Sequence, residues 1–129
     1  FVPFEYKTQQ WADEKDSKRR AMPTRPEMLP NVSPAGSALG EITAAAADAT
    51  AIPKGLPLIA SGSDKACEVL GTGCIDNETG SLSYGSLATL NITSDKYLEA
   101  IPFYPAYPGV IPNKCNVEVN VERGNWMVS

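Results

Sequence analysis

The sequence predicts an α/β fold, and four observations carry that expectation. Residues 58–60 form a short apolar run bounded by Pro57 and Gly62, which suits a buried strand. From Ser63 onward the spacing becomes helical, with Ala66, Cys67, Val69 and Leu70 following Asp64, so a helix starts near that residue. Residues 81–91 read as two short strands around a turn at Gly85-Ser86. Residues 116–121 alternate, with Val117, Val119 and Val121 on one face and Asn116, Glu118 and Asn120 on the other, as a half-exposed strand does.

The remaining elements follow in order. Residues 1–6 are aromatic and apolar around Pro3 and read as a strand edge or loop. Residues 8–20 carry Asp13, Glu14, Lys15, Asp16, Lys18, Arg19 and Arg20, the mixed-sign run of a solvated face. Trp11 is expected to pack beneath it, with a sugar platform as the alternative. Pro23, Pro26, Pro30 and Pro34 exclude a helix interior and leave an extended connection. Thr43 is a good N-cap for a small helix over 44–49, and Ile42, Ala45, Ala46 and Ala49 on one side predict close packing on a neighbour. Gly62 permits a sharp turn or close backbone approach by a ligand. Gly71-Thr72-Gly73 looks like a nucleotide-binding glycine turn, but a helix stop at Gly71 explains it better. Residues 76–80 form a polar loop. The proline-rich stretch 101–112 reads as a structured loop burying Phe103, Tyr104 and Tyr107, with a polyproline ligand as the alternative.

Composition narrows the function. The chain has 129 residues, room for one modest domain, and 43% of them are apolar, enough for a core. Eleven Lys and Arg against 15 Asp and Glu give a net charge of −4, which argues against nucleic-acid binding by phosphate neutralisation. There is no His, so Ser-His-Asp catalysis and His-metal sites are excluded within these residues. Cys67, Cys74 and Cys115 fall at no C-x-x-C spacing and read as reduced thiols. No apolar run approaches the roughly 18 residues of a membrane span. The N-terminus lacks a signal-peptide pattern, and its start at Phe1 suggests a piece excised from a longer protein. Three N-x-[ST] triplets, at Asn31, Asn77 and Asn91, leave open a secreted, non-catalytic β-rich binding module.

Two stretches carry chemistry. Asp64 is either a helix N-cap or a carboxylate held at a strand end, in the crevice where α/β proteins place reacting groups. The turn at Gly85-Ser86 offers backbone N–H groups and a hydroxyl to a phosphate. Together with VPFEYK and WAD, LGEITAAAADATAIPKGLPLIASGSDKACEVLGTG and GSLSYGSLATLNIT, these stretches resemble the FGGY family of carbohydrate kinases over nearly the whole chain. The resemblance implies an actin-like, ribonuclease H-like ATPase fold. Residues 1–75 would end a sugar-binding domain, and 76–129 would begin a nucleotide-binding one. It implies Asp64 as catalytic base, Asp64 and Lys65 at the substrate, and Gly85 and Ser86 at the ATP phosphates. Ser86 keeps a hydroxyl where the family has Thr, and Leu87 stands where it has Ser. ATP and Mg2+ are the implied cofactors, with the metal ligands outside these residues. The implied partners are a sugar or polyol, ATP and the remainder of the parent kinase, in the cytoplasm, with a homodimer as one assembly state. Neither a nucleic acid nor a membrane is expected. The isolated chain should not turn over.

Overall fold

The structure, a computed structural model, describes residues 3–22, 24–102 and 104–124. Near the N-terminus β1 (Phe4–Glu5) pairs antiparallel with β2 (Gln10–Trp11), Phe4 opposite Trp11. Trp11 meets Phe4 edge-on, with ring centroids 5.7 Å apart, and its indole N–H donates to the Pro30 carbonyl at 2.7 Å. It therefore packs as expected. Helix α1 (Ser17–Ala21) is capped by the Asp16 carboxylate, which accepts from the Lys18 amide at 2.8 Å. The charged run is not wholly solvated. Arg19 is buried and donates to the Thr24 hydroxyl at 3.2 Å, and Lys18 pairs with Glu5 at 2.7 Å. The proline-rich connection holds a single 3-10 turn at Pro26–Met28, begun on a proline whose missing N–H would have had no helical partner. Phe1, Val2 and Pro23 lie outside the described residues.

β3 (Ala38–Glu41) and β4 (Pro57–Ile59) form a two-stranded antiparallel ribbon, with α2 (Ala44–Thr50) between them in sequence. The Thr43 hydroxyl caps α2, accepting from the Ala46 amide at 3.2 Å. Two expectations need correction here. The strand at 57–59 is exposed, Leu58 by 51% and Ile59 by 50%, because it has one neighbouring strand and no covering layer among the described residues. Helix α2 buries no residue either. A face of alanines has little apolar area with which to hold a neighbour.

Helix α3 (Asp64–Gly71) starts where the spacing predicts. A Cβ on Gly62 would meet Val110 Cγ2 at 2.8 Å, so the close approach that this glycine permits is to a valine side chain. The helix ends on Gly71, with Thr72 as C-cap and Gly73 in the left-handed region at φ +79°. The expected hairpin follows, β5 (Gly80–Tyr84) with β6 (Ala88–Ser94), joined by residues 85–87. β7 (Tyr107–Pro108) and β8 (Cys115–Val121) complete a four-stranded antiparallel sheet in the order β5-β6-β8-β7.

The register sorts this sheet into two faces. Leu82, Leu90 and Val119 oppose one another on one side, as do Tyr84, Ala88 and Val121. The other side carries Ser81, Asn91 and Glu118, then Ser83, Thr89 and Asn120, then Thr93 and Asn116. Helix α3 lies on this polar side, where Ala66 and Val69 face Thr93 and Asn116 across a gap of about 10 Å³. The alternation in β8 is therefore as expected, but burial follows position along the strand rather than one face: Asn116 and Val117 are both buried, and Val119, Asn120 and Val121 are all exposed. Asn116 is 2% exposed and Val121 54%.

Hydrogen bonds make the burial of these polar groups tolerable. The buried Thr93 hydroxyl donates to the Cys74 carbonyl at 2.7 Å and lies 3.2 Å from the Asn116 side-chain amide. The Cys74 thiol reaches the Thr79 carbonyl at 2.9 Å. In the loop before β8, Ala106 and Gly109 are buried and Tyr107 is half-buried. Tyr104, expected inside, is 37% exposed because its hydroxyl reaches Glu118 and Asn120 at the rim, and Phe103 lies outside the described residues. All three cysteines are free. Among the described residues no helix is long and apolar enough to cross a membrane. Replacing Thr93 by Val keeps the shape but strands the Cys74 carbonyl. It should destabilise the intact polypeptide by about 1–3 kcal/mol in urea unfolding, whereas an exposed Thr50→Val should cost less.

Candidate functional site

Two local turns carry the residues singled out by the sequence. In the first, Ser63 is the N-cap of α3, and its hydroxyl accepts from the Ala66 amide at 3.2 Å. The capping role considered for Asp64 therefore belongs to its neighbour. Both residue types cap well, and the one placed with extended backbone takes the position. Asp64 is the first helical residue and is exposed, with its carboxylate accepting from the Lys65 amide at 2.7 Å. There the unpaired N–H groups and the dipole of the first turn favour negative charge. Lys65 does not reach freely into solvent. Its ammonium lies 2.7 Å from Glu68 Oε2, one helical turn on.

In the second turn, Gly85 donates its N–H to the Leu87 carbonyl at 2.9 Å. That amide is spent on closing the hairpin, while Ser86 sits exposed at the tip. The backbone of Gly124 packs against this tip so closely that a Cβ there would run into the Gly85 carbonyl and lie 2.7 Å from the Ser86 carbonyl carbon. Glycine is required by that approach.

The structure thus brings Asp64 and Lys65 into one helical turn, and Gly85 and Ser86 into one hairpin turn. The link between the two was not foreseen. The Glu68 carboxylate that holds Lys65 also comes under the influence of the Ser83 hydroxyl, on β5 just ahead of Gly85. Lys65 first, then Ser83, hold the Glu68 carboxyl below its ordinary 4.5. The Lys65–Glu68 spacing is visible in sequence as an i,i+3 pair, but nothing local signals Ser83.

Two further features border these turns. Around β8, Glu118 Oε2 is buried without a partner among the described residues, and the Tyr107 hydroxyl donates to Asn91 Oδ1 at 2.7 Å. Burial, helped by the nearby Glu118 charge, pushes the Tyr107 hydroxyl far above the usual phenol range. A cleft of about 570 Å³, lined by Lys7, Gln10, Ser61, Gly62, Asp95 and Asn113 among others, opens beside the loop that leads into α3. Asp64, Lys65, Gly85 and Ser86 are not part of its lining. Among the described residues no group of three or more carboxylates or thiols converges as a metal site.

This arrangement is the actin-like ATPase fold as it occurs in xylulose kinases. The chain superimposes on the ligand-bound xylulose kinase of Lactobacillus acidophilus with a TM-score of 0.75, at 19% identity, over 95% of this chain and 24% of that one. It matches the xylulose kinase of Rhodospirillum rubrum with a TM-score of 0.72, at 21% identity, over 84% of this chain and 22% of that one. In sequence it is 32% identical over 129 residues to an uncharacterised sugar kinase of Escherichia coli (strain K12), YgcE, covering 98% of this chain and 26% of that protein. No protein-family model matches. The chain spans about a quarter of the length of these relatives and aligns with a segment of each.

The Glu68 link has a measurable signature. Its folded pKa is lowered, so its contribution to stability is present at neutral pH and is lost as pH falls through that lowered value. A carboxyl-carbon NMR titration should place the Glu68 midpoint below 4.5, and Lys65→Ala should move it back upward.

Proposed function

We propose that these residues belong to an FGGY-type carbohydrate kinase, which transfers the γ-phosphoryl group of ATP to a hydroxyl of a sugar or polyol. The observation that carries this reading is Asp64 at the open first turn of α3, within a chain 32% identical to a sugar kinase. Residues 1–75 would close the sugar-binding domain, and 76–129 would open the nucleotide-binding domain. The bare apolar side of the sheet, with Leu82, Leu90, Val119 and Val121 all more than 40% exposed, supports a larger parent whose further layers cover it.

When bound, ATP supplies the transferred group, and Mg2+ neutralises its phosphate charge. The metal's ligands would come from elsewhere in the parent, as the family resemblance implies. Asp64 orients the acceptor hydroxyl. It takes the proton late, as the new oxygen–phosphorus bond forms, because a loose transition state leaves the attacking oxygen weakly acidic until then. Its place at a helix N-terminus keeps the carboxylate well oriented. Lys65 brings a positive charge beside the acceptor. Ser86, whose amide and hydroxyl crown the hairpin, donates to phosphate oxygens, while Gly85 shapes the turn through its own closing bond. Three unpaired cysteines fit the reducing cytoplasm in which cellular ATP is met.

Asp64→Asn in the full-length protein tests the reading. Ser63 retains the cap, so the fold should survive. Asn cannot take the hydroxyl proton, and kcat for sugar phosphorylation should fall by about 10²–10⁴-fold with a smaller change in substrate KM. Near-normal kcat in the folded variant would remove Asp64 from the chemistry.

A further inference from the structure

We propose that Arg19 anchors a binding site for a phosphate group, free or carried by a small ester, in the cleft that it shares with Thr24 and Arg25. The site stands apart from the kinase reading, since none of Asp64, Lys65, Gly85 and Ser86 lines this cleft. Arg19 lies on α1 and is only 8% exposed. A buried guanidinium needs a counter-charge or a full set of acceptors. Among the described residues it has neither. Its side chain donates to the neutral Thr24 hydroxyl at 3.2 Å, and no carboxylate pairs with it. Its basic neighbours differ in this respect. Lys18 pairs with Glu5 at 2.7 Å, and Arg25 meets Glu27 at 3.4 Å on the open surface.

The cleft fits what that charge lacks. It measures about 340 Å³ and is walled by Glu14, Arg19, Thr24, Arg25 and Pro26. Two guanidiniums therefore border one space, and each carries parallel N–H donors that match the oxygens of a phosphate. The Thr24 hydroxyl accepts from Arg19 Nη1 and so helps to hold the guanidinium plane. The surrounding field has the right sign. Residues 15–25 carry Lys15, Lys18, Arg19, Arg20 and Arg25 against Asp16 alone, in a chain of net charge −4. Glu14 is the opposing charge in the cleft, and it is exposed. A second cleft, of about 630 Å³, also touches Arg19, but both Asp13 and Glu14 line it. Two carboxylates there leave the smaller cleft as the place for an anion.

The test is calorimetric titration of the full-length protein with inorganic phosphate and with methyl phosphate. A non-hydrolysable ATP analogue is kept saturating, so that any phosphate site at the Ser86 turn is already filled. Both ligands should bind the wild type, and binding of inorganic phosphate alone would assign the site to the free ion. Arg19→Met should weaken binding at least about tenfold, and Arg25→Ala about two- to fivefold. Glu14→Gln alters an exposed side chain and should tighten binding about two- to fivefold by removing a like charge. Should Arg19→Met fail to fold, the opposite shifts in Arg25→Ala and Glu14→Gln decide. Affinity unchanged across these variants would overturn the proposal. So would an absence of binding to the wild type, the result expected if another segment of the parent fills the cleft. A lowered melting temperature in Glu14→Gln without tighter binding would make Glu14 the counter-charge of Arg19 and would reject the site as well.

Discussion

One buried hydroxyl fixes how the helix lies on the sheet. Thr93 donates to the carbonyl of Cys74, just past the end of α3, and sits against the Asn116 amide on the adjacent strand. The helix offers the sheet only Ala66 and Val69, and burial of one valine is worth about 1.5–3 kcal/mol. With so little apolar area, orientation depends on directional bonds. An oily contact of this size would let the helix slide, whereas a hydroxyl 2.7 Å from its acceptor does not. That anchor, together with buried Ala66 and the Gly62–Val110 approach, sets the line of α3 and so the direction from which Asp64 is presented.

Local signals explain what the sequence reveals. The start of α3, the Thr43 cap, the hairpin and the alternating strand each depend on residues within a few positions of one another, and all four were legible. Burial was not. Period-2 alternation says that two faces differ, but the choice of which turns inward depends on what else is available to cover it. The valines of β8 look like core, yet Val119 and Val121 are exposed and Asn116 is enclosed more fully than Val117, because α3 arrives on the hydroxyl and amide side. Leu58 and Ile59 mislead for the same reason. A strand's neighbours, not its own hydropathy, decide whether it is enclosed.

The candidate site was half legible. Asp64 and the Gly85-Ser86 turn could be found because each is a short motif with its own backbone logic. Choosing between Ser63 and Asp64 as cap could not be done on residue type, since both accept well from a first-turn amide. The influence of Ser83 on Glu68 was hidden for a different reason: the two are distant in sequence and belong to different elements. Motif reading finds groups that act where they stand. Groups that hold others in place become visible only when the elements are assembled, and the joint between a helix and a strand is where such groups collect.

The two sides of the sheet are chemically independent, which makes them separately editable. Side chains at Leu82, Leu90, Val119 and Val121 share no hydrogen bond with the network beneath α3. Threonine at those positions would keep strand preference while replacing a greasy surface with a wettable one. The polar layer beneath the helix would be untouched. The sheet would then present polar groups on both sides, with the hydroxyls and amides beneath α3 left as they are.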